Sequence, residues 1–389
     1  MARIVMNTYM VRYPLGGNLS WALQWIVGLR QLGHDVYVVE KSGYPNACFD
    51  LARGLMSDDC TYGVGIVRTV LARVGLQERW CYVDARGEYH GLSRQRVEAV
   101  IASADLFLDM GTHGVDADGS WLDEAANAGL RVLVATEPGL TQMRMALKLV
   151  AGQALPQYDI YYTTGLNVGT AASSAPTAGR RWRPILDPVV VELFICHPQP
   201  AQAPFTTVMN WQSMSPLTFE GIEYGQKDRE FPKFIDLPRH TRVPLELAMA
   251  GRHAPTDQLR AAGWRIRDAL QATVSVEEYV AYIAASQGEF GISKHACVAT
   301  NVGWFSERSA AYLASGRPVV VQETGFSRHL PCGRGLFAVR TVEEAAAALD
   351  EIDADWQRHA RWARELACEY LDARTVLGRM LEDLAVARP

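Results

Sequence analysis

Two adjoining stretches of this chain carry residue types at spacings that could do chemistry. Gly303-Trp304-Phe305-Ser306 leads into a helix-forming segment, with Ser306 placed as its N-cap and Glu307 in its first turn. A helix entered this way presents unpaired backbone N–H groups and the positive end of its dipole, a seat for a diphosphate. The next segment, Arg317-Pro-Val-Val-Val321, is apolar enough for a strand buried on both faces of a parallel sheet. Its carboxyl end delivers Gln322, Glu323, Thr324 and Gly325, and ligands of open parallel sheets lie beyond that end of the strands. A phosphate seat beside a polar, hydroxyl-reading edge is what a nucleotide-sugar needs. The competing reading is a plain capped helix with Trp304 and Phe305 in the core.

A diphosphate leaving group needs one or two cations to offset its charge when no metal does so. Lys227, in Gly225-Gln-Lys227-Asp228, and Lys294, in Phe290-Gly-Ile-Ser-Lys294, each follow a strand-like segment. Transfer to a hydroxyl with inversion also needs a base. Leu106-Phe-Leu-Asp109-Met-Gly111-Thr-His113 brings Asp109 and His113 to one strand end, and Thr136-Glu137-Pro138-Gly139 brings Glu137 to a neighbouring one. His113 paired with Asp109 would be an oriented imidazole, and Glu137 a direct carboxylate base; structural roles stay open for each. Asp116-Ala-Asp118 and Asp353-Ala-Asp355 have metal-ligand spacing but read better as helix caps or surface groups, so no metal is expected. Tyr9, Tyr13, Trp21, Trp25, Tyr161, Tyr162 and Trp211 could wall a pocket for a flat acceptor, with ordinary core packing the alternative for Trp21 and Trp25.

These residues need a scaffold, and the chain alternates strand and helix signals throughout. Arg3–Met6 reads as a strand, Asn7–Gly17 as a loop, Leu19–Arg30 as an amphipathic helix stopped by Gly33, and Asp35–Glu40 as the next strand. The pattern continues with helices near 94–103, 120–128 and 141–152 and strands near 106–109, 131–136 and 158–162. Proline-rich Cys196–Pro204 is the expected interdomain linker. A second set follows, with strands near 206–210, 245–249, 264–267, 290–293, 317–321 and 335–339, and helices closing the chain at 341–352 and 354–385. A loop over 211–237 is a candidate cover for the site. The fold class is therefore α/β, two tandem doubly wound domains.

The length of 389 residues supports two domains, and 49% hydrophobic with 21% charged residues is ordinary for a soluble enzyme. A net charge of −5 argues against a nucleic-acid polymer or an anionic membrane as partner. Seven scattered cysteines without a C-x-x-C pair fit a reducing cytoplasm and oppose a disulfide framework or a zinc site. No signal peptide or membrane span is evident. Oligomeric state is open, with a homodimer compatible.

Pro14-Leu-Gly16-Gly17 opening a helix, followed by Leu32-Gly33-His34-Asp35-Val36, resembles the start of many GT-B glycosyltransferases. Gly303-Trp304-Phe305-Ser306 with Ser315-Gly316-Arg317-Pro318-Val319-Val320 is similar to their C-terminal donor motif. The resemblance implies an acceptor domain over 1–198, a nucleotide-sugar domain over 205–365, and a terminal helix, 366–389, packing back on the first domain. It implies that Gly16 and Gly17 face the donor diphosphate, that Lys227 or Lys294 supplies the cation, and that Trp304, Phe305 and Ser306 line the phosphates. Glu307 or Arg308 would reach the ribose, and Gln322, Glu323, Thr324 and Gly325 the sugar hydroxyls. One departure matters: the two glutamates that retaining members often carry eight positions apart correspond to Gly303 and Ala311. The lean is therefore towards inversion.

The resulting expectation is a metal-independent glycosyltransferase without a cofactor. It would move a hexose, by default from UDP-glucose, to a hydroxyl of a small acceptor such as a nucleoside or another secondary metabolite, antibiotics included. The rival readings are a nucleotide-sugar epimerase of the same fold and a catalytically silent nucleotide-sugar-binding protein. A dehydrogenase is disfavoured because Gly16-Gly17 is not G-x-G-x-x-G.

Overall fold

The computed structural model describes residues 1–386 apart from His113, Asp116, Ala117, Asp118, Ala201 and Arg252. Contacts divide the chain into two units. The first holds Met1–Thr164 with Pro176–Ile185, and the second holds Gly165–Ala175 with the chain from Leu186 onward.

In the first unit an eight-stranded sheet runs in the order 182–184, 160–163, 131–135, 106–109, 3–7, 35–41, 80–83, 89–91. All neighbours are parallel except Trp80–Val83 with Tyr89–Gly91, which form a hairpin. Helix Gly16–Gln31 makes the first crossover, and Gly33, at φ +83°, turns the chain into strand Asp35–Lys41. Val5, Val39, Cys81 and Phe107 share one buried cluster with Val97, Ile101 and Trp121. The helix expected near 120–128 is only the 3-10 turn Glu124–Asn127.

The second unit is a six-stranded, all-parallel sheet in the order 265–268, 245–250, 205–210, 288–291, 319–322, 336–339. Strand Val319–Gln322 shows why its sequence is so apolar. Val320 enters a cluster with Phe205, Phe290 and Trp356, while Val319 and Val321 enter a different one with Phe305, Tyr312 and Phe326. The period-two alternation covers both faces.

The unit boundary does not fall in the proline-rich stretch. Val189 exchanges backbone hydrogen bonds with Leu371 and Ala373, at 2.8 and 2.9 Å, and Val189, Val191 and Phe194 join the second unit's core. Leu366, Ala367 and Leu371 lie in that same core, and the closing helix Ala373–Val386 groups with the second unit. Residues 211–237 are not an open cover either. They form the hairpin Leu217–Phe219 with Ile222–Tyr224 and a helical turn, and Phe231, Phe234 and Leu237 are fully buried. Among the described residues no helix is long and apolar enough to cross a membrane.

Candidate functional site

In the second unit the strand order, renumbered from its own first strand, is 3-2-1-4-5-6. It reverses between Phe205–Asn210 and Gly288–Gly291, and a crevice for a ligand opens at the carboxyl ends of such a pair. Arg308, in helix Glu307–Ala314, straps that point together. Its Nε donates to Glu289 Oε1 at 2.6 Å and a terminal nitrogen donates to Val208 O at 3.0 Å. Glu289 is fully buried, so the pair holds two charges out of water.

Lys227 starts the short helix that follows the hairpin, and it is 6% exposed. Its ammonium has no hydrogen-bond or ion-pair partner among the described residues. Burial brings its pKa down to about 7, with the charges of Arg308 and Lys294 adding to the effect and those of Glu289 and Glu307 opposing it. Around it are buried polar atoms without partners: Gln226 Nε2, Glu230 Oε1, Glu289 Oε2 and Ser309 Oγ. Buried polar groups are ordinarily satisfied, so this mixed set of donors and acceptors marks the surroundings of Lys227 as a functional-site candidate, with Arg308 and Lys294 as its neighbouring cations. A recess lined by Gly291, Ser293, Trp304, Ser306, Arg308 and Gln322 adjoins them.

The 303–306 turn is where the sequence placed it. Ser306 caps the helix, its Oγ accepting from Arg308 N at 3.2 Å and donating to Glu307 Oε2 at 3.1 Å. Gly303 has φ +77°, and a Cβ there would meet the Asn167 side chain at 3.0 Å. A side chain there would press on Asn167 from a backbone conformation that favours glycine. Trp304 is half-buried at the recess, whereas Phe305 packs on Phe326 with centroids 5.3 Å apart and belongs to the core. Arg308 is held by Glu289 and Val208 and does not reach outward; Glu307 is half-buried beside Ser306.

The strand-end residues hold their own turn together. Gln322 Oε1 accepts from Ser293 N at 3.1 Å and its Nε2 donates to Glu230 Oε2 at 2.5 Å. Glu323 accepts from Gly325 N at 2.5 Å and from Ser327 Oγ, and pairs with Arg340 at 3.4 Å. Thr324 Oγ1 donates to Trp304 O at 2.6 Å. Both side chains are thus engaged within the protein. Lys294 is half-buried and precedes helix His295–Ala299, among the charges that act on Lys227.

Sequence reading missed Asn167. Its Nδ2 donates to Asn301 O at 3.0 Å and Gly325 O at 3.3 Å, and its Oδ1 lies 2.8 Å from His329 Nε2. One amide thus stitches the 301–303 turn to the 325 turn. Gly325 sits at φ +97°, where a Cβ would fall 2.4 Å from Asn167 Nδ2. Gly325→Ala is expected to cost about 2–4 kcal/mol by combining a disfavoured backbone with a broken network, measurable by urea unfolding.

In the first unit Gly16 and Gly17 open helix Gly16–Gln31. Asp109, fully buried at the end of Leu106–Asp109, accepts five hydrogen bonds: from Asn7 Nδ2, Gly111 N, Thr112 N, Thr112 Oγ1 and Tyr158 OH, at 2.6–3.2 Å. A carboxylate so occupied organises the turn, which speaks against its reading as a direct base. Asp109→Asn is expected to cost about 2–3 kcal/mol in the substrate-free protein, because its amide faces donors with a donor; thermal or urea denaturation checks this. His113 lies outside the described residues, as do Asp116 and Asp118. Glu137 is half-buried just beyond strand Arg131–Ala135, its backbone carbonyl opening helix Leu140–Val150 through Thr141 N at 2.9 Å. Of the aromatic residues, Trp25 is core, Trp211 packs on Phe231, and Tyr161 packs between Tyr158 and Trp182. Tyr9 stacks on Trp21 at 5.3 Å.

No family model and no curated protein sequence matches this chain. Solved structures do match over their full length. An α-glucosyltransferase in complex with UDP and a 13-mer DNA containing a central A:G mismatch aligns with a TM-score of 0.60 at 10% identity, covering 99% of this chain and 100% of its own. Anabaena HepE in complex with UDP and glucose aligns at 0.53 and 14% identity, with 99% and 100% covered. AviGT4, a glycosyltransferase involved in avilamycin A biosynthesis, aligns at 0.54 and 14% identity, with 98% and 96% covered. The chain has the GT-B fold that these proteins share.

Proposed function

We propose that this protein is a glycosyltransferase that uses a UDP-sugar. The observation that carries the reading is the buried, unpartnered ammonium of Lys227 beside Arg308 and Lys294, at the switch point of a parallel sheet. Such a set is costly in the absence of an anion and favourable around a diphosphate. The UDP found in two of the matching structures supports the same identity for the ligand.

In this reading the diphosphate lies against Lys227, Lys294 and the first turn of helix Glu307–Ala314, with Trp304 and Ser306 beside it. The acceptor hydroxyl oxygen bonds to the anomeric carbon as the bond from that carbon to the β-phosphate oxygen breaks. The hydroxyl proton passes to a base. The cationic set then stabilises the UDP that leaves, the charge stabilisation a metal would otherwise supply. This single displacement inverts the anomeric centre.

Glucose is the sugar favoured by the HepE complex, and a small hydroxylated acceptor of secondary metabolism is favoured by the likeness to AviGT4. The neighbour bound to DNA makes duplex DNA an acceptor to run alongside, against which the net charge of −5 speaks. A panel of nucleotide-sugars tested for thermal stabilisation is the first experiment, with UDP-glucose expected to raise the melting temperature most. Product analysis with acceptors then separates transfer, with UDP released and an inverted glycoside, from epimerisation or silent binding. No response to any nucleotide-sugar would overturn the proposal.

A further inference from the structure

Away from that site, the first unit brings together a thiol, an imidazole and a carboxylate from separate parts of the sequence. His90 Nε2 lies 3.1 Å from Asp84 Oδ2 and 3.6 Å from Cys60 Sγ. All three ligand atoms fall within 4.8 Å of one another. We propose that Cys60, Asp84 and His90 form a zinc-binding site that clamps the Trp80–Gly91 hairpin to the start of helix Thr61–Arg73.

The geometry favours a cation over a hydrogen-bonded triad. Both neighbours converge on the same ring nitrogen. A Cys-His-Asp relay would engage one through each nitrogen, and a single N–H serves one acceptor well. Zinc bonds of about 2.0–2.3 Å at tetrahedral angles separate ligand atoms by roughly 3.3–3.6 Å, close to the distances found here.

The supporting contacts orient the ligands. Asp84 Oδ1 is taken by Arg86 N at 2.8 Å and Glu88 N at 2.9 Å, which leaves Oδ2 for the cation. His90 pairs with Tyr82 across the hairpin, with its ring 6.1 Å from the tyrosine ring centroid. Cys60 stands at the N-cap of helix Thr61–Arg73 yet makes no side-chain cap bond, so its sulfur is not spent there. Cys60 is buried, while the Asp84 and His90 side chains are 9% and 27% exposed, which leaves room for a water in the fourth position.

Mixed sulfur, nitrogen and oxygen ligands suit zinc better than magnesium or calcium. Binding replaces the Cys60 S–H bond by a sulfur–zinc bond and releases the proton to solvent. The spacing, 24 residues from Cys60 to Asp84 and six more to His90, matches no zinc fingerprint, which is why the sequence alone argued against such a site.

The test uses the full-length protein stripped with a chelator and dialysed. Zinc titration by calorimetry is expected to show one equivalent per chain and a rise in melting temperature. Cobalt in its place is expected to give a thiolate-to-cobalt charge-transfer band in the near ultraviolet. Cys60→Ser should abolish the band, and His90→Asn should weaken zinc binding roughly tenfold or more. Cys368→Ser, at an exposed thiol of the second unit, should change neither. The wild-type titration requires no variant to fold. Absence of stoichiometric binding, or a cobalt band that persists in Cys60→Ser, would overturn the proposal.

Discussion

Lys227→Met is expected to weaken UDP binding about a hundredfold and to make the ligand-free protein more stable. The two effects share one cause. The ammonium is buried among like charges without a partner, so methionine of similar length removes an unfavourable charge from the empty site. The gain should be about 1–3 kcal/mol at neutral pH, below the ceiling of about 5 kcal/mol set by a displacement from 10.5 to about 7. Once the diphosphate is present the same charge becomes favourable, and its loss costs what a charge-assisted contact in a shielded site is worth. The sign with pH follows. Between about 7 and 10.5 the unfolded chain holds a proton on Lys227 that the folded chain lacks, so stability of the ligand-free protein should rise with pH through that window. That contribution should vanish in Lys227→Met, as followed by urea unfolding at pH 6.5 and 9 on both proteins.

Arg308→Met is expected to act in the opposite direction on stability, costing about 3–5 kcal/mol, because it strands the fully buried Glu289 carboxylate. Glu289 Oε2 already lacks a partner, so Arg308 is the group that keeps this carboxylate tolerable. Adding Glu289→Gln should recover much of the stability, since a neutral amide no longer needs the guanidinium. It should not recover UDP binding, because the helix that carries the phosphate seat has lost its strap to Val208 and Glu289. Urea unfolding and calorimetric titration with UDP on the two variants separate the roles. Equal stability of wild type and Arg308→Met would show that the pair contributes nothing.

The sequence could be read most securely where one period dominated. Val319–Gln322 and Leu106–Asp109 are short apolar runs between turn signals, and both are strands close to their expected limits. The capped helix at Ser306 was legible because serine, then glutamate, is a local signal that needs no tertiary partner. Long-range pairing was not legible. Nothing local marks Asn167 as the hub of turns at 301 and 325, more than 130 residues away. Glu289 and Glu230 were invisible for the same reason, since a carboxylate in Gly-Glu-Phe-Gly acquires meaning only when Arg308 crosses over it. Glu323 shows the converse. Its position at a strand end suggested recognition of hydroxyls, but the tight turn at Gly325 supplied donors from within the chain first. The proline-rich stretch was misread as a linker because Val189, Val191 and Phe194 just before it are apolar enough to enter the second core.

Proton uptake on UDP binding tests the account most directly. Calorimetric titrations at pH 8 in buffers of different ionisation enthalpy report the number of protons taken up. The bound diphosphate should return Lys227 to its charged form, giving uptake approaching one proton at pH 8 and close to none at pH 6, with the pH 8 uptake lost in Lys227→Met. Tight UDP binding with no proton uptake at pH 8, unchanged in that variant, would contradict the placement of the diphosphate at this lysine.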